Sequence, residues 1–353
     1  MKKIVIILFS CLLFSSAFSR KTYAQVPTGI ERIWAVDDSE KVMRQDLNNP
    51  LATNPNNVLW NGQQVSLVGA KNEIVAFQLI LQSGVTEVNN VNVVFDSLNS
   101  AHFSINNDQA TNISDPYNFV GKHIELFTQS YLNIEDRTGK CLTTGAWGYS
   151  GIQGDYLGWV PDALIPFQAP SAVAGSPGGA PFSILPNSNQ GVWVDVYIPD
   201  NAPAGMYQGT ILVTVNETEI AQIPVNLEVY NFRLPDETHL NNYFWFGGYE
   251  ANFVNRFGVT YRSPTYFPIE SNYMKLFHRH RMNLLTNVDY TQMTSGTIPY
   301  KKYLIDGPES IFNPQFGYEG PGEAIGNRNY ILGKYNSWRA GFPTTAGANY
   351  CKP

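Results

Sequence analysis

Residues 192–215 read VWVDVYIPDNAPAGMYQGTILVTV. Val192, Val194, Val196 and Ile198 point to one side, with Trp193, Asp195 and Tyr197 on the other. The pattern repeats with Ile211, Val213 and Val215 against Thr210, Leu212 and Thr214. A period of two built from β-branched and aromatic residues is the signature of a half-buried strand. Between the two runs, PDNAPAG fixes φ at Pro199 and Pro203 and frees it at Gly205. The stretch therefore reads as a β-hairpin with a structured loop.

Upstream and downstream, nearly every apolar segment from Ile30 to Phe232 has the same character. QVSLV (64–68), EIVAFQLILQ (73–82), VNVVF (91–95), HIELFTQSYL (123–132) and AQIPVNLEVYNF (221–232) are all strand patterns. EIVAFQLILQ is apolar on both faces, as a central strand requires. Pro224 removes a ladder donor and predicts an edge strand or a bulge at that point. Many short strands separated by turn signals, with no long helix, predict an antiparallel β-sandwich over residues 26–234. Residues 135–190 interrupt the rhythm with a long Gly/Pro/aromatic loop that includes GAWGYSGIQGDYLGWVPDALIPF (145–167). Such loops are functional or pack against another domain. Trp147, Tyr149, Tyr156 and Trp159 are accordingly read first as covering an interdomain seam and second as stacking on sugar rings.

At Leu234-Pro235-Asp236 the pattern changes. NYFWFGGYEAN (242–252) reads as a short buried strand. ESNYMKLFHRHRMNLL (270–285) puts Tyr273, Leu276, Phe277, His280 and Leu284 on one helical face, and NLLTNV (283–288) resumes as a strand. Strand, helix, strand is a βαβ unit, so residues 240–353 begin an α/β fold.

The bulk properties narrow the function. Lys2 and Lys3, the apolar run Ile4–Phe18 and the small residues at Thr22-Tyr23-Ala24 form a secretory signal peptide over residues 1–24. That run is shorter than the roughly 20 residues of a spanning helix, so no transmembrane span is expected. The formal charge is −6, and −10 without those residues and their four basic side chains. An acidic exported chain with no Lys/Arg cluster is a poor partner for nucleic acid. Cys141 and Cys351 allow one disulfide but not a zinc site. His278 and His280 are two apart on a helix and diverge, so they make no metal pair and His280 is read as a hydrogen-bonded inner residue. No GxGxxG, P-loop, HExxH or GxSxG motif is present, and no cofactor is implied.

In barrel enzymes, polar residues at the C-terminal ends of strands line the site. That rule selects Glu250 after the first strand and Asp289 with Tyr290 after the second. Trp245 and Tyr290 add stacking surface, His280 faces inward, and Glu319 lies in the late Gly/Pro loop. These six are the candidate substrate-binding residues.

The order of phrases resembles a family. The opening hairpin, IPVNLEVYNFRLPD (223–236), YMKLFHRHRMNLL (273–285), GWVPDALIPF (158–167) and GYEGPGEAIGN (317–327) together are similar to proteins related to glycoside hydrolase family 123. These are the β-N-acetylgalactosaminidases, whose barrel is often labelled domain of unknown function 4091. The resemblance implies a secreted bacterial protein, periplasmic or at the cell surface. It would join an N-terminal sandwich to a (β/α)8 barrel and act on glycans bearing N-acetylated amino sugars. It also implies an adjacent Asp-Glu pair at the end of a later barrel strand. The Glu would serve as acid/base, and the Asp would orient the 2-acetamido group that acts as nucleophile. Here the only Asp-Glu step is Asp236-Glu237, in the linker before the first barrel strand, where it caps or solvates a turn. No catalytic residue is therefore assigned. Residues 240–353 supply 114 residues, against about 250 for a complete barrel. The barrel is thus expected to be truncated in this chain, as a fragment of a glycoside hydrolase-like protein. The alternative is a non-catalytic carbohydrate-binding or scaffold module using Trp147, Trp159, Trp245 and Tyr290.

Overall fold

A computed structural model of the chain describes residues 29–53, 57–107, 122–135, 157–170, 178–240, 242, 244, 249–284, 287–288, 300–328 and 331–332. Residues 1–24, all three cysteines (Cys11, Cys141 and Cys351), Trp147, Tyr149 and Tyr156 lie outside the described residues.

Two sheets face one another. The first is ordered β1 (Ile30–Asp37), β3 (Glu73–Ser83), β10 (Asn189–Ile198), β7 (Ile124–Ile134), β8 (Gly158–Pro166). The second is ordered β2 (Val65–Lys71), β12 (Thr218–Arg233), β11 (Gly205–Val215), β4 (Val88–Phe95), β9 (Phe182–Ile184), with β5 (Ser97–Asn99) and β6 (Ser104–Asn106) beside β11. Their inner faces form one core. Phe77, Leu79, Val192, Val194 and Val196 come from the first sheet, and Val93, Tyr207, Ile211, Val225 and Leu227 from the second, all fully or nearly fully buried. The predicted sandwich is present.

Residues 192–215 do not form a hairpin. β10 pairs with β3 and β7, whereas β11 pairs with β12 and β4. The loop at 199–204 therefore carries the chain across the core from one sheet to the other. The physical reason lies in the two apolar faces. Each is wide enough to need a cover, and stacking them buries both, whereas pairing edge to edge would leave both open. The prolines and glycine make this crossing a fixed corner. Ala202 donates its N–H to Pro199 O at 3.0 Å and is fully buried. Gly205 takes φ 135°, a conformation other residues rarely adopt. The Tyr207 hydroxyl then donates back to Pro203 O at 2.8 Å, a tyrosine tying its own strand to the corner before it.

A second crossing is tighter. β2 in the second sheet and β3 in the first are joined by Asn72 alone, at φ 61°. The sandwich is also not purely antiparallel. β12 runs parallel to β2, from Val225 opposite Val65 to Val229 opposite Gly69. Pro224 sits one residue before that pairing begins and opposite Thr210 of β11. On its β2 side β12 is still an edge there, so the lost donor costs nothing. The bulge falls elsewhere, between Val213 and Thr214. Within 135–190, predicted as loop, GWVPDALIP is strand β8, antiparallel to β7. It sits at the edge of its sheet, where Pro161 and Pro166 are tolerated.

After Arg233 come helices α1 (Tyr249–Phe257) and α2 (Tyr266–Arg279), the two-residue strand β13 (Asn287–Val288), a short helix α3 (Tyr300–Leu304) and β14 (Ile331–Leu332). Of the strand expected over 242–252, the described residues show a parallel bridge between Phe244 and Leu284 and the helix from Tyr249 onward. The helix takes over because Tyr249, Phe253 and Phe257 recur every fourth residue; Phe253 packs on Tyr266 and Tyr273 of α2. β13 and β14 are parallel. Two parallel contacts with helices between them have βαβ character, but the described residues do not close into a barrel. The buried stripe of α2 is Glu270, Met274 and His278, with Arg279, and not the predicted face of Tyr273, Leu276, Phe277, His280 and Leu284. The helix stops at Arg279 because Arg281 turns to φ 58°. His280 is left at the cap, and His278 is the hydrogen-bonded inner histidine. Among the described residues no helix is long and apolar enough to cross a membrane.

Candidate functional site

The outer face of β10 should be wet if the strand were only half-buried. Instead Asp195 and Tyr197 are 7% and 4% exposed. On the neighbouring strand, Glu125 lies directly opposite Asp195 and is 3% exposed. The C-terminal end of α2 and the loop 317–323 cover this face. Arg279 places its Nη1 3.5 Å from Glu125 Oε2, donates Nη2–H to Lys122 O, and sets its guanidinium 5.6 Å from the centre of the Tyr197 ring. His280 Nε2 is 3.9 Å from Asp195 Oδ2, and the Trp193 indole donates to Asp195 Oδ1 at 2.6 Å. His123, stacked on Tyr197, shares a 2.8 Å hydrogen bond with Glu319 Oε1. Three carboxylates, two imidazoles and a guanidinium thus meet at one seam.

Burial sets the electrostatics. It pushes the Glu125 carboxyl up to about 7; Arg279 opposes the shift and Asp195 adds to it. Asp195 is raised for the same reason, with His280 pulling the other way. His280 and His278 are lowered by burial. Glu319 is lowered because its carboxylate holds the hydrogen bond with His123.

His280 and Glu319 therefore meet in this cluster. Glu250 lies in the first turn of α1 and not at the end of a strand. Trp245, Asp289 and Tyr290 lie outside the described residues. Trp159 stands on β8, 39% exposed, with the Arg44 guanidinium 4.2 Å from its ring centre. His123, Glu125, Asp195, Tyr197 and Arg279 join the cluster without standing out as site residues in the sequence. The one available signal was polar residues alternating with a core face, as in HIELF and WVDVY, which reads equally as a solvated face.

The linker pair is spoken for. Asp236 Oδ1 accepts from the Asn72 side-chain amide at 2.9 Å and from Gly322 N–H at 3.2 Å, and Oδ2 accepts from Arg233. Glu237 faces Arg328 at 3.4 Å. A shallow recess beside the seam is lined by Asp236, His278, Arg281, Asn283, Gly322 and Arg328. Both arginines there are engaged: Arg281 donates to Pro235 O and Asn72 O, and Arg328 to Asp306. Its chemistry is that of a clasp on the linker.

Residues 173–215 match the family model for the glycoside hydrolase 123 N-terminal domain. Over this segment the chain is similar to the N-terminal domain of glycoside hydrolase family 123. The matched segment holds β9, β10, the corner and β11, so it includes Asp195 and Tyr197. Among solved structures, a family 123 glycoside hydrolase from Clostridium perfringens, studied for glycolipid glycan hydrolysis, overlaps with 17% identity and TM-score 0.48. The overlap covers 73% of this chain and 38% of that one, so the chain spans well under half of that protein's length. The N-terminal domain of PorA overlaps at 8% identity and TM-score 0.22, over 57% of this chain and 99% of that one. A type I cohesin of ScaB from Pseudobacteroides cellulosolvens overlaps at 10% identity and TM-score 0.16, over 50% of this chain and 94% of that one. No curated protein matches.

Proposed function

We propose that this chain supplies the sandwich, and the opening of the adjoining α/β barrel, of an exported protein that hydrolyses glycans bearing N-acetylated amino sugars. The family match over β9–β11 carries the reading. It is supported by the parallel β–α–β contacts that follow the sandwich. The role of the described residues is support. Asp236 is saturated by three donors, and the buried carboxylates Glu125 and Asp195 are roofed by Arg279 and His280, which leaves no room for a sugar ring. Acid/base catalysis needs a carboxyl within reach of the leaving oxygen.

The purified 353-residue chain is expected to release no nitrophenol from aryl N-acetyl-β-galactosaminide above background. Joining it to a downstream strand that carries an Asp-Glu pair should restore release. Turnover by the chain itself that vanishes in Glu319→Gln would place the active site in the 317–327 loop and overturn the reading. Export has its own test. Mass spectrometry of the mature N-terminus should find the first 24 residues removed, and an intact Met1 on soluble protein would refute it.

A further inference from the structure

We propose that the seam between the first sheet and α2 is a proton-operated latch, in which one proton held by the Glu125–Asp195 pair lets both carboxylates sit under Arg279. Residues directly opposite on antiparallel strands have Cβ atoms about 4.5–5.5 Å apart, and both of these side chains leave the same face of the sheet. Two carboxylates this close and this buried cannot both ionise cheaply. The geometry also says which one holds the proton. Asp195 receives the Trp193 indole N–H and faces His280. Glu125 has Arg279 at 3.5 Å on Oε2, and its buried Oε1 has no hydrogen-bond partner among the described residues. A bare, buried, charged oxygen is expensive, whereas a protonated carboxyl does not present that charge. The proton therefore rests on Glu125, in keeping with the upward push that burial gives this group.

The groups facing the pair come from every element packed there. They are Lys122 and His123 just before β7, Tyr197 from β10, Asp38 from the loop after β1, Arg279 and His280 from the end of α2, and Glu319 from the covering loop. The sign follows from linkage. A carboxyl held near 7 when the seam is closed and at 4.5 when it is open binds its proton more tightly in the closed state. Closure is therefore fully favoured below the lower value and is lost as pH rises through the upper one. Between about pH 6 and about pH 8.5 this carboxyl by itself multiplies the open fraction roughly tenfold. His280 and His278 are lowered from 6.5 by burial and act with the opposite sign up to that open-state value, which overlaps the lower part of this range. The Glu125 contribution is therefore read as the difference between wild type and Glu125→Gln.

The test is deuterium uptake by the full chain at the C-terminal turn of α2, where the amides of His280, Arg281 and Met282 are hydrogen-bonded to the helix end. After correction for intrinsic exchange, wild type should lose about tenfold more protection across that range than Glu125→Gln, in which the histidines act alike. Equal slopes in the two proteins overturn the proposal. If Glu125→Gln does not fold, infrared spectroscopy of the wild type decides. A protonated carboxyl band present near neutrality and lost on alkaline titration supports the latch, and its absence at both ends refutes it.

Discussion

Asn72→Ala should lower stability by about 3–5 kcal/mol. The residue is 1% exposed at φ 61° and joins β2 to β3 across the core. Its backbone N–H donates to Ile198 O at 2.8 Å, and its carbonyl accepts from Arg281 at 2.8 Å. The side-chain amide donates to Leu234 O at 3.0 Å and to Asp236, and its oxygen accepts the Tyr197 hydroxyl at 3.2 Å. Alanine strands these partners in a buried place and strains the corner. Glycine keeps the left-handed backbone and loses only the side-chain bonds, so Asn72→Gly should be milder by about 1–2 kcal/mol. Urea unfolding of the two variants against wild type measures both figures. Equal losses would mean that the backbone conformation contributes nothing.

Gly322→Ala should cost about 2–4 kcal/mol, and the loss should fall on the loop and α2. A Cβ at this position would stand 2.8 Å from His278 Cδ2 and closer still to Nε2, and the residue holds φ 81°. The imidazole cannot step aside. It is stacked on Phe312 at 3.7 Å, and its two nitrogens are bound to Asn327 Oδ1 and Gly322 O. The same shift would break the Gly322–Asp236 hydrogen bond that fastens the loop to the linker. Deuterium uptake at 317–327 and over α2 should rise, while β3 and β10 stay protected. Uniform loss across the whole molecule would show that the clasp and the sandwich unfold as one unit.

The sandwich was legible because strand periodicity is a local signal, carried by runs such as Val192–Ile198 and Ile211–Val215. What those runs cannot encode is the partner of each strand. Proline and glycine between two strands serve a hairpin and a sheet-to-sheet corner equally well, and only the need to cover both apolar faces decides between them. The start of α2 lay four residues from its predicted place, but its buried stripe was off by one position. Aromatic residues at Tyr273 and Phe277 outweighed His278 and Arg279 in the hydrophobic pattern. Polar residues become inner ones only when a partner elsewhere receives them, as Asn327 and Glu125 do. For the same reason the site was half visible. His280 and Glu319 stood out as functional types, whereas Glu125 and Asp195 looked like the wet side of a strand until α2 was laid over them.

The parallel pairing of β2 with β12 has a consequence for how the molecule is made. Neighbouring parallel strands cannot be joined by a tight turn, and here the partners of Val65–Gly69 are Val225–Val229, far along the chain. Emerging from the ribosome, β2 has no permanent neighbour in its own sheet until the last strand of the sandwich has been synthesised. Loop-closure entropy must be met before that contact is gained, which makes folding slow and leaves an early edge exposed. Such a nascent chain stays open over most of its translation, the condition a chain needs if it is to be threaded across a membrane before it folds.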